Sequence, residues 1–364
     1  MKKALFVLAI LLAWVPAEAL VAQTEISARG ANIRIGGRLH AQYQSSSAEG
    51  SEADFFFRRA RITVDVTVND FLSARVQPEL SGGSAELVDA YVRLTFSDNF
   101  RLSMGQFKRP FDLFELDSST DMSIIERDGR VDGVDGCAGV GRICTYGRFS
   151  SSLGLGSRDQ GLLAEFSFDR LSVSASLTNG TGLNTSDEND EKTYMGRVAY
   201  EASDKVTVGA QFAAKDYVDG VSDEYANAWA ADVQYGGYRD GLLLQAAIIG
   251  GDNWKNRVDA GDPSTFLGWQ ALGSYYFPIS GQRFVGWEPV VRVSAGDPNT
   301  DLDDDGGLVV TPGVMLYVLG RNKVGFNVDY YTPQTGDAVW SPVSYTHLRA
   351  HETVLDLVCR LLLE

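Results

Sequence analysis

The chain carries a punctuation that few folds tolerate. Runs of roughly ten residues with alternating apolar and polar side chains are separated by connections that are short and long in turn. A period of two marks a strand with two unlike faces. Fifteen such runs are read, over 32–45, 55–68, 71–80, 86–96, 100–107, 160–168, 171–178, 192–201, 205–215, 225–236, 241–250, 266–277, 284–295, 308–319 and 322–331. The short connections are 69–70, 97–99, 169–170, 202–204, 237–240, 279–282 and 320–321. The others, 46–54, 81–85, 108–159, 179–191, 216–224, 251–265 and 296–307, are mostly longer and polar. A soluble sandwich has no reason to sort its loops by length. An up-and-down barrel in an outer membrane puts tight turns on one rim and long loops on the other.

The side chains agree. In 60–68, Ala60, Ile62, Val64, Val66 and Val68 share one face, and Arg61, Thr63, Asp65 and Thr67 share the other. Apolar out and polar in is the arrangement for a wall between lipid and water. Phe56, Phe96, Tyr200, Tyr235, Phe277 and Tyr330 lie near strand ends, where interfacial aromatic girdles form. Single-chain bacterial barrels have even strand numbers, so fifteen runs predict an all-β, transmembrane antiparallel β-barrel of 16 strands with the last one truncated. That number of strands leaves room for an aqueous lumen.

Both ends qualify this picture. Lys2 and Lys3 precede an apolar run, and Ala17-Glu18-Ala19 or Leu20-Val21-Ala22 offers a small-residue cleavage pattern. This predicts a signal peptide over 1–22 and an exported protein. No later apolar stretch approaches the ~20 residues a spanning helix needs. At the other end, 343–364 (VSYTHLRAHETVLDLVCRLLLE) reads as a sequencing adapter translated in one frame. The barrel domain is therefore expected over 23–342, followed by a non-native tail. His347, His351 and Cys359 fall in that tail, which leaves His40, Cys137 and Cys144. Two cysteines in one Gly-rich loop of an exported protein predict a Cys137–Cys144 disulfide rather than a metal site.

Assigning faces by the period of two turns Arg59, Arg61, Arg75, Arg93 and Arg101 into the lumen on four consecutive strands, with Arg197 and Arg292 inward as well. Guanidinium groups offer forked donors to phosphate and carboxylate, and basic rings in pores favour anions. Asp65, Glu79, Asp89, Glu165, Asp232, Glu288 and Asp329 are also inward. Two expectations follow: a net preference for anions, or a general pore whose basic and acidic walls pair across it. The formal charge of −16 disfavours nucleic acid as a partner, and much of it sits in SDENDE (186–191) and DLDDD (301–305). Asp301, Asp303 and Asp305 match the opening of a calcium loop, but Pro312 stands where the closing Glu belongs. A solvated acidic loop is the plainer reading, and no cofactor is expected. No G-x-S-x-G or P-loop occurs, and His40 would need a serine and an acid beside it to serve a hydrolase, so no enzyme is expected. A barrel adhesin or polymer-binding protein stays as an alternative.

The 108–159 connection is long enough to fold inward and narrow a lumen. It also carries a resemblance. GRLHAQYQ (37–44), FFFRRARI (55–62), ELVDAYVRL (86–94), MGQFKRPFDLFEL (104–116) and SIIERDGR (123–130) resemble the phosphate-selective porin O and P family in order and spacing. The likeness runs over roughly 30–340 and is strongest before residue 130. It implies a trimeric bacterial outer-membrane porin with an inward third loop. Such a porin would be a passive diffusion channel for small hydrophilic solutes, preferring anions such as phosphate, with lipid and lipopolysaccharide as its surroundings. From the GQFK-x-PF motif it carries over Lys108 and Arg109, and from the E-R pair Glu126 and Arg127, as loop or constriction residues.

Overall fold

The computed structural model describes residues 24–28, 30–187, 189–216, 225–258, 262–319 and 322–351. The expected signal peptide and the tail beyond His351 lie outside the described residues. The strands are β1 (Thr24–Ala28), β2 (Ala31–Gln44), β3 (Asp54–Thr67), β4 (Leu72–Glu79), β5 (Glu86–Ser97), β6 (Phe100–Lys108), β7 (Arg158–Phe168), β8 (Leu171–Thr178) and β9 (Thr193–Ser203). They continue as β10 (Val206–Asp216), β11 (Tyr225–Tyr235), β12 (Leu242–Arg257), β13 (Pro263–Tyr275), β14 (Phe277–Pro278), β15 (Gly286–Asp297), β16 (Gly307–Leu319), β17 (Asn322–Pro333) and β18 (Val339–His351). Two short helices, α1 (Leu113–Leu116) and α2 (Tyr146–Ser152), interrupt the β6–β7 connection.

Among the described residues, sixteen strands close into one antiparallel ring. Each pairs with the next in sequence, β14 extends β13 so that both meet β15, and β18 returns to β2 with Val343 opposite Gln44 and His351 opposite Gly36. β1 is an additional strand folded back on β2, with Thr24 opposite Ile35. Closure leaves the sixteen-stranded ring without an open edge among the described residues, which is what permits strands to cross lipid. Every one of the fifteen runs read from the sequence is a strand. The expected sixteenth is β18, and most of it is the segment read as a non-native tail. That segment alternates as the others do, burying Val343, Tyr345 and His347 while Leu348 is exposed. Alternation, whatever its origin, is what a seam strand needs.

No second sheet covers the outer face. Ile62, Val92, Val198, Val233 and Val291 stand exposed on it, as do Phe55 and Met104 at 70% each. Near the short-turn rim, Phe71, Phe96, Phe100, Phe166 and Phe168 form an unbroken series of ring contacts. Phe96, Tyr200, Tyr235, Phe277 and Tyr330 are exposed as a girdle requires. Phe56 departs from that expectation. A register shift opposite His40/Ala41 puts Phe55 and Phe57 outside, and Phe56 lies beneath the Arg130 guanidinium at 5.3 Å.

The inner face is not uniformly polar. Along β10–β15 it presents Ala213, Ala226, Ala228, Ala230, Leu243, Ala247, Ile249, Phe266 and Val290, all buried. The β6–β7 connection enters the lumen and packs on this half. Glycines make room for it. A Cβ at Gly296 would meet a Phe149 ring carbon at 2.5 Å, and one at Gly268 would meet Phe149 and Tyr146 at 3.2 Å.

Candidate functional site

The inward loop, 109–157, is shaped locally before it is docked. Asp112 caps α1 by accepting from the Phe114 N–H at 3.0 Å, and the Tyr146 hydroxyl donates to the same carboxyl oxygen at 2.8 Å. Thr145 caps α2 through the Arg148 N–H at 3.2 Å. Cys137 and Cys144 are joined by a disulfide. Phe111, Tyr146, Phe149, Leu153 and Leu155 then enter the apolar cluster on β10–β15. Farther along the wall, Ile125 joins Met315, Tyr317 and Tyr345, and Val131 and Ile143 join Val309 and Tyr331.

Charged side chains from the wall hold the loop's backbone and its acids. Arg292 donates to the carbonyls of Glu126 and Arg127 at 2.7 and 2.9 Å and pairs with Asp329 at 2.7 Å. Arg58 pairs with Glu126 at 2.6 Å. Glu288 accepts from Ser123 of the loop at 2.7 Å and from Ser274 at 2.6 Å, and also from Tyr317. Lys323 donates to the Met122 carbonyl. At the loop's stem Arg109, fully buried, pairs with Asp159 at 3.0 Å and donates to Ser157 at 2.8 Å. Burial pushes the Asp112 carboxyl up to about 6. Burial would raise Glu126 as well, but the Arg58 and Arg59 guanidiniums outweigh it and hold that carboxyl at about 2.

With the loop seated on one half of the barrel, open space remains on the other. A cavity of about 360 Å³ lies between β2–β9 and the loop. Arg38, Arg59, Arg61, Arg75, Arg93, Arg158 and Arg197 line it from the wall, with Lys108 at the end of β6, and Arg127 lines it from the loop. Four carboxylates share the lining: Asp89, Glu115, Asp117 and Glu165. Nine cations thus face four acids in the lining, and three further carboxylates, Glu79, Asp65 and Asp232, are paired with its arginines, so cations are in excess although the chain is acidic.

Most of the cations are tied to inward acids. Arg61 pairs with Glu79 and Arg75 with Asp65, both at 2.6 Å; Arg93 pairs with Glu165 at 3.0 Å, and Arg158 and Arg197 pair with Asp89 and Asp232 at 2.5 Å. Glu115 stands 3.8 Å from Lys108 and 3.7 Å from Arg127. Burial would raise the Glu115 carboxyl, but Arg127 and Lys108 draw it below its ordinary value. Arg59 stands outside these pairs. It is buried, borders the cavity, stands 3.5 Å from His40 Nδ1, and among the described residues has no carboxylate within 4 Å. Next to it in the lining, Arg38 donates to Ser119 of the loop at 2.8 Å.

Of the residues named from sequence, Arg59, Arg61, Arg75, Arg93, Arg197, Lys108 and Arg127 therefore meet at one cavity. Arg109, Arg292 and Arg101 do not line it. The first two are consumed in holding the loop, because a loop lying against the wall brings its carbonyls within reach of any inward guanidinium. Arg101 is one residue past the start of β6, opposite Thr95 and Glu165 near the short-turn rim. Three further arginines escaped the sequence reading. Arg38 shares the inward face of β2 with His40 and was open to the same period-of-two argument. Arg158 begins β7 two residues before the run recognised from alternation. Arg58 is inward only because of the register shift beside it, which alternation does not reveal. Asp301, Asp303 and Asp305 do not converge, and among the described residues no group of three or more side chains is placed to hold a metal ion. Burial and the neighbouring Asp297 push Asp305 up to about 6. His40 faces the His347 ring at 4.2 Å and stands 3.5 Å from the Arg59 guanidinium.

A family model described as phosphate-selective porin O and P matches residues 33–257. No curated protein matches the chain. Among solved structures, Salmonella typhi OmpF, in complex with daunomycin, superposes with a TM-score of 0.63 at 15% identity, covering 90% of this chain and 100% of that one. The outer-membrane channel DcaP of Acinetobacter baumannii gives 0.60 at 11% identity over 89% of this chain and all of its own. The trimer form of Vibrio cholerae OmpT gives 0.58 at 13% identity over 88% and 100%. At such identities these likenesses speak for the fold alone.

Proposed function

From the premise that the chain belongs to the phosphate-selective porin O and P family, and is therefore an outer-membrane channel of a bacterium, we propose that it is a passive porin with a preference for small anions, phosphate among them. The observation that carries this reading is Arg59. Among the described residues its guanidinium, buried at the edge of the passage, has no carboxylate within 4 Å, and the Glu126 carboxylate that it acts on is already paired with Arg58. A buried cation without a counter-charge is costly. A passing anion offsets that cost for as long as it stays, and the paired arginines on either side present donors before and after it. The paired cations set the field of the wall; Arg59 adds a charge that no carboxylate of the described residues pairs directly. Selectivity then needs no chemical step, only a radius and a sign.

The competing reading, a general pore with balanced walls, draws on the many Arg–carboxylate pairs. The excess of cations in the lining weighs against it. Homotrimeric assembly in lipid and lipopolysaccharide is proposed with the channel, in keeping with the family. The test is the reversal potential of the protein in planar bilayers under a salt gradient. Anion preference is expected for the wild-type protein, and Arg59→Gln is expected to lower the anion-to-cation permeability ratio by about threefold. A cation-preferring wild-type channel would refute the reading and leave the porin fold untouched.

A further inference from the structure

The short connection between β11 and β12 does not stay at the rim. Gly236 and Gly241, at φ of 79° and 69°, and Arg239, at φ of 59°, turn it into the lumen. From there Tyr238 packs against the apolar cluster that holds the loop, and Arg239 lies over the Tyr317 ring at 5.6 Å. The turn thus passes beneath the loop from the β11–β12 hairpin as far as β16. Its Tyr238 hydroxyl donates to Asp117 Oδ2. Gln245 on β12 donates to the same oxygen at 3.1 Å and to the Tyr238 hydroxyl at 2.8 Å.

Asp117 closes α1 and borders the basic cavity with Lys108 and Arg127. Its own carbonyl already accepts from Arg127 at 2.7 Å, so the residue lies beside that guanidinium. Yet among the described residues no ion pair joins its carboxylate to Arg127 or Lys108; Glu115 occupies that role. The side chain has two partners to choose between, and the turn takes it.

We propose that Tyr238 is a specificity-determining residue of the passage: its hydroxyl, with the Gln245 amide, holds the Asp117 carboxylate on the turn side of α1, so that Lys108 and Arg127 face the solute and not a second acid of the chain. The inference rests on the anion-path reading and deepens it. Tyr238 touches no solute; it acts through Asp117.

The experiment compares wild-type protein, Tyr238→Phe, Asp117→Asn and the double variant by reversal potential in planar bilayers. Barrel integrity is checked by the mobility of unheated protein in detergent gels. Tyr238→Phe is expected to lower the anion-to-cation permeability ratio by about twofold, because the released carboxylate turns to the cations. Asp117→Asn is expected to hold the ratio at or above wild type, and the double variant to match Asp117→Asn. An unchanged ratio in Tyr238→Phe overturns the proposal. So does an equal loss in the double variant, which would make the turn a mere prop for the loop. The comparison is of variants with wild type. It can therefore fail while wild-type anion preference holds, and it can succeed as a shift in a channel whose absolute preference is for cations.

Discussion

Arg58 and Arg59 are adjacent in the chain, both enter the lumen, and they answer to different parts of the physics. Arg58 is paired with a Glu126 carboxylate that is itself buried, so removing the guanidinium takes away that acid's direct partner and leaves it the weaker compensation of Arg59. Breaking a buried pair from one side costs about 3–5 kcal/mol, and since the Arg58 side chain is 35% exposed the low end applies. Arg58→Ala should therefore lower stability by about 3 kcal/mol, read from urea unfolding in detergent, and make single-channel currents noisier as the loop loses a tether. Arg59→Gln breaks no direct ion pair but takes part of the compensation from the buried Glu126 carboxylate, and should lower stability by less than Arg58→Ala in the same unfolding assay. Alternation predicted the inward direction of Arg59, Arg61, Arg75, Arg93, Arg197 and Arg292 without a structure, because a period of two is dictated by the strand itself. It missed Arg58 because a register shift is decided by cross-strand pairing. It turned Arg292 inward correctly, and Arg109 came from the family resemblance as a loop residue; that both guanidiniums are bound to loop carbonyls is a fact of tertiary packing that alternation does not reveal.

For the elements, the loop's existence and inward course were legible from its length and its place after the fifth predicted strand. The wall it would choose was less so, though a signal was present. In ANAWAADVQY (226–235), the face bearing Ala226, Ala228 and Ala230 is too small and too apolar for a wetted lumen, while Trp229 and Val233 claim the lipid side. A strand with two apolar faces inside a barrel means that something covers the inner one. Gly296 and Gly268 belong to the same logic, since side chains there would occupy the volume taken by α2. Gly296→Leu should displace Phe149 and release the loop from β13–β15. Overpacking of this kind costs about 1–3 kcal/mol, and the barrel should survive it because strand pairing carries the remaining stability. The expected result is a folded channel with raised conductance and weakened ion preference in the same bilayer recordings. A folded variant with unaltered conductance would mean that the passage is not set by where α2 sits.

On the scale of the whole molecule, the property that matters is closure. A barrel has no stable partial form in lipid, because two open edges would leave rows of backbone donors and acceptors without partners, each at a cost of several kcal/mol. An even strand number was the sequence argument for a sixteenth strand beyond the fifteen recognised. The structure finds it in Val339–His351, whose alternation satisfies the requirement even though its residues from Val343 onward read as foreign. The seam is not merely hydrogen-bonded. It buries Tyr345 in the cluster with Ile125 and Met315, and sets the His347 ring, tilted, against His40 beside Arg59. Closure and the basic passage are therefore mechanically linked through one strand. A chain ending at Pro342 would lose every β18–β2 pair from Val343 to His351 and keep only the β17 side of the seam's first residues. It should fail to give the compact, heat-modifiable, protease-resistant species that is expected of the full chain on folding into detergent or lipid. Appending any strand of the same inward and outward parity should restore that species, whereas the same residues shifted by one position should not, because the slip turns the Tyr345 and His347 positions to lipid and the Leu348 position to the lumen. Recovery by both appended sequences alike would show that pairing alone closes the barrel and that the contents of the lumen do not select its last strand.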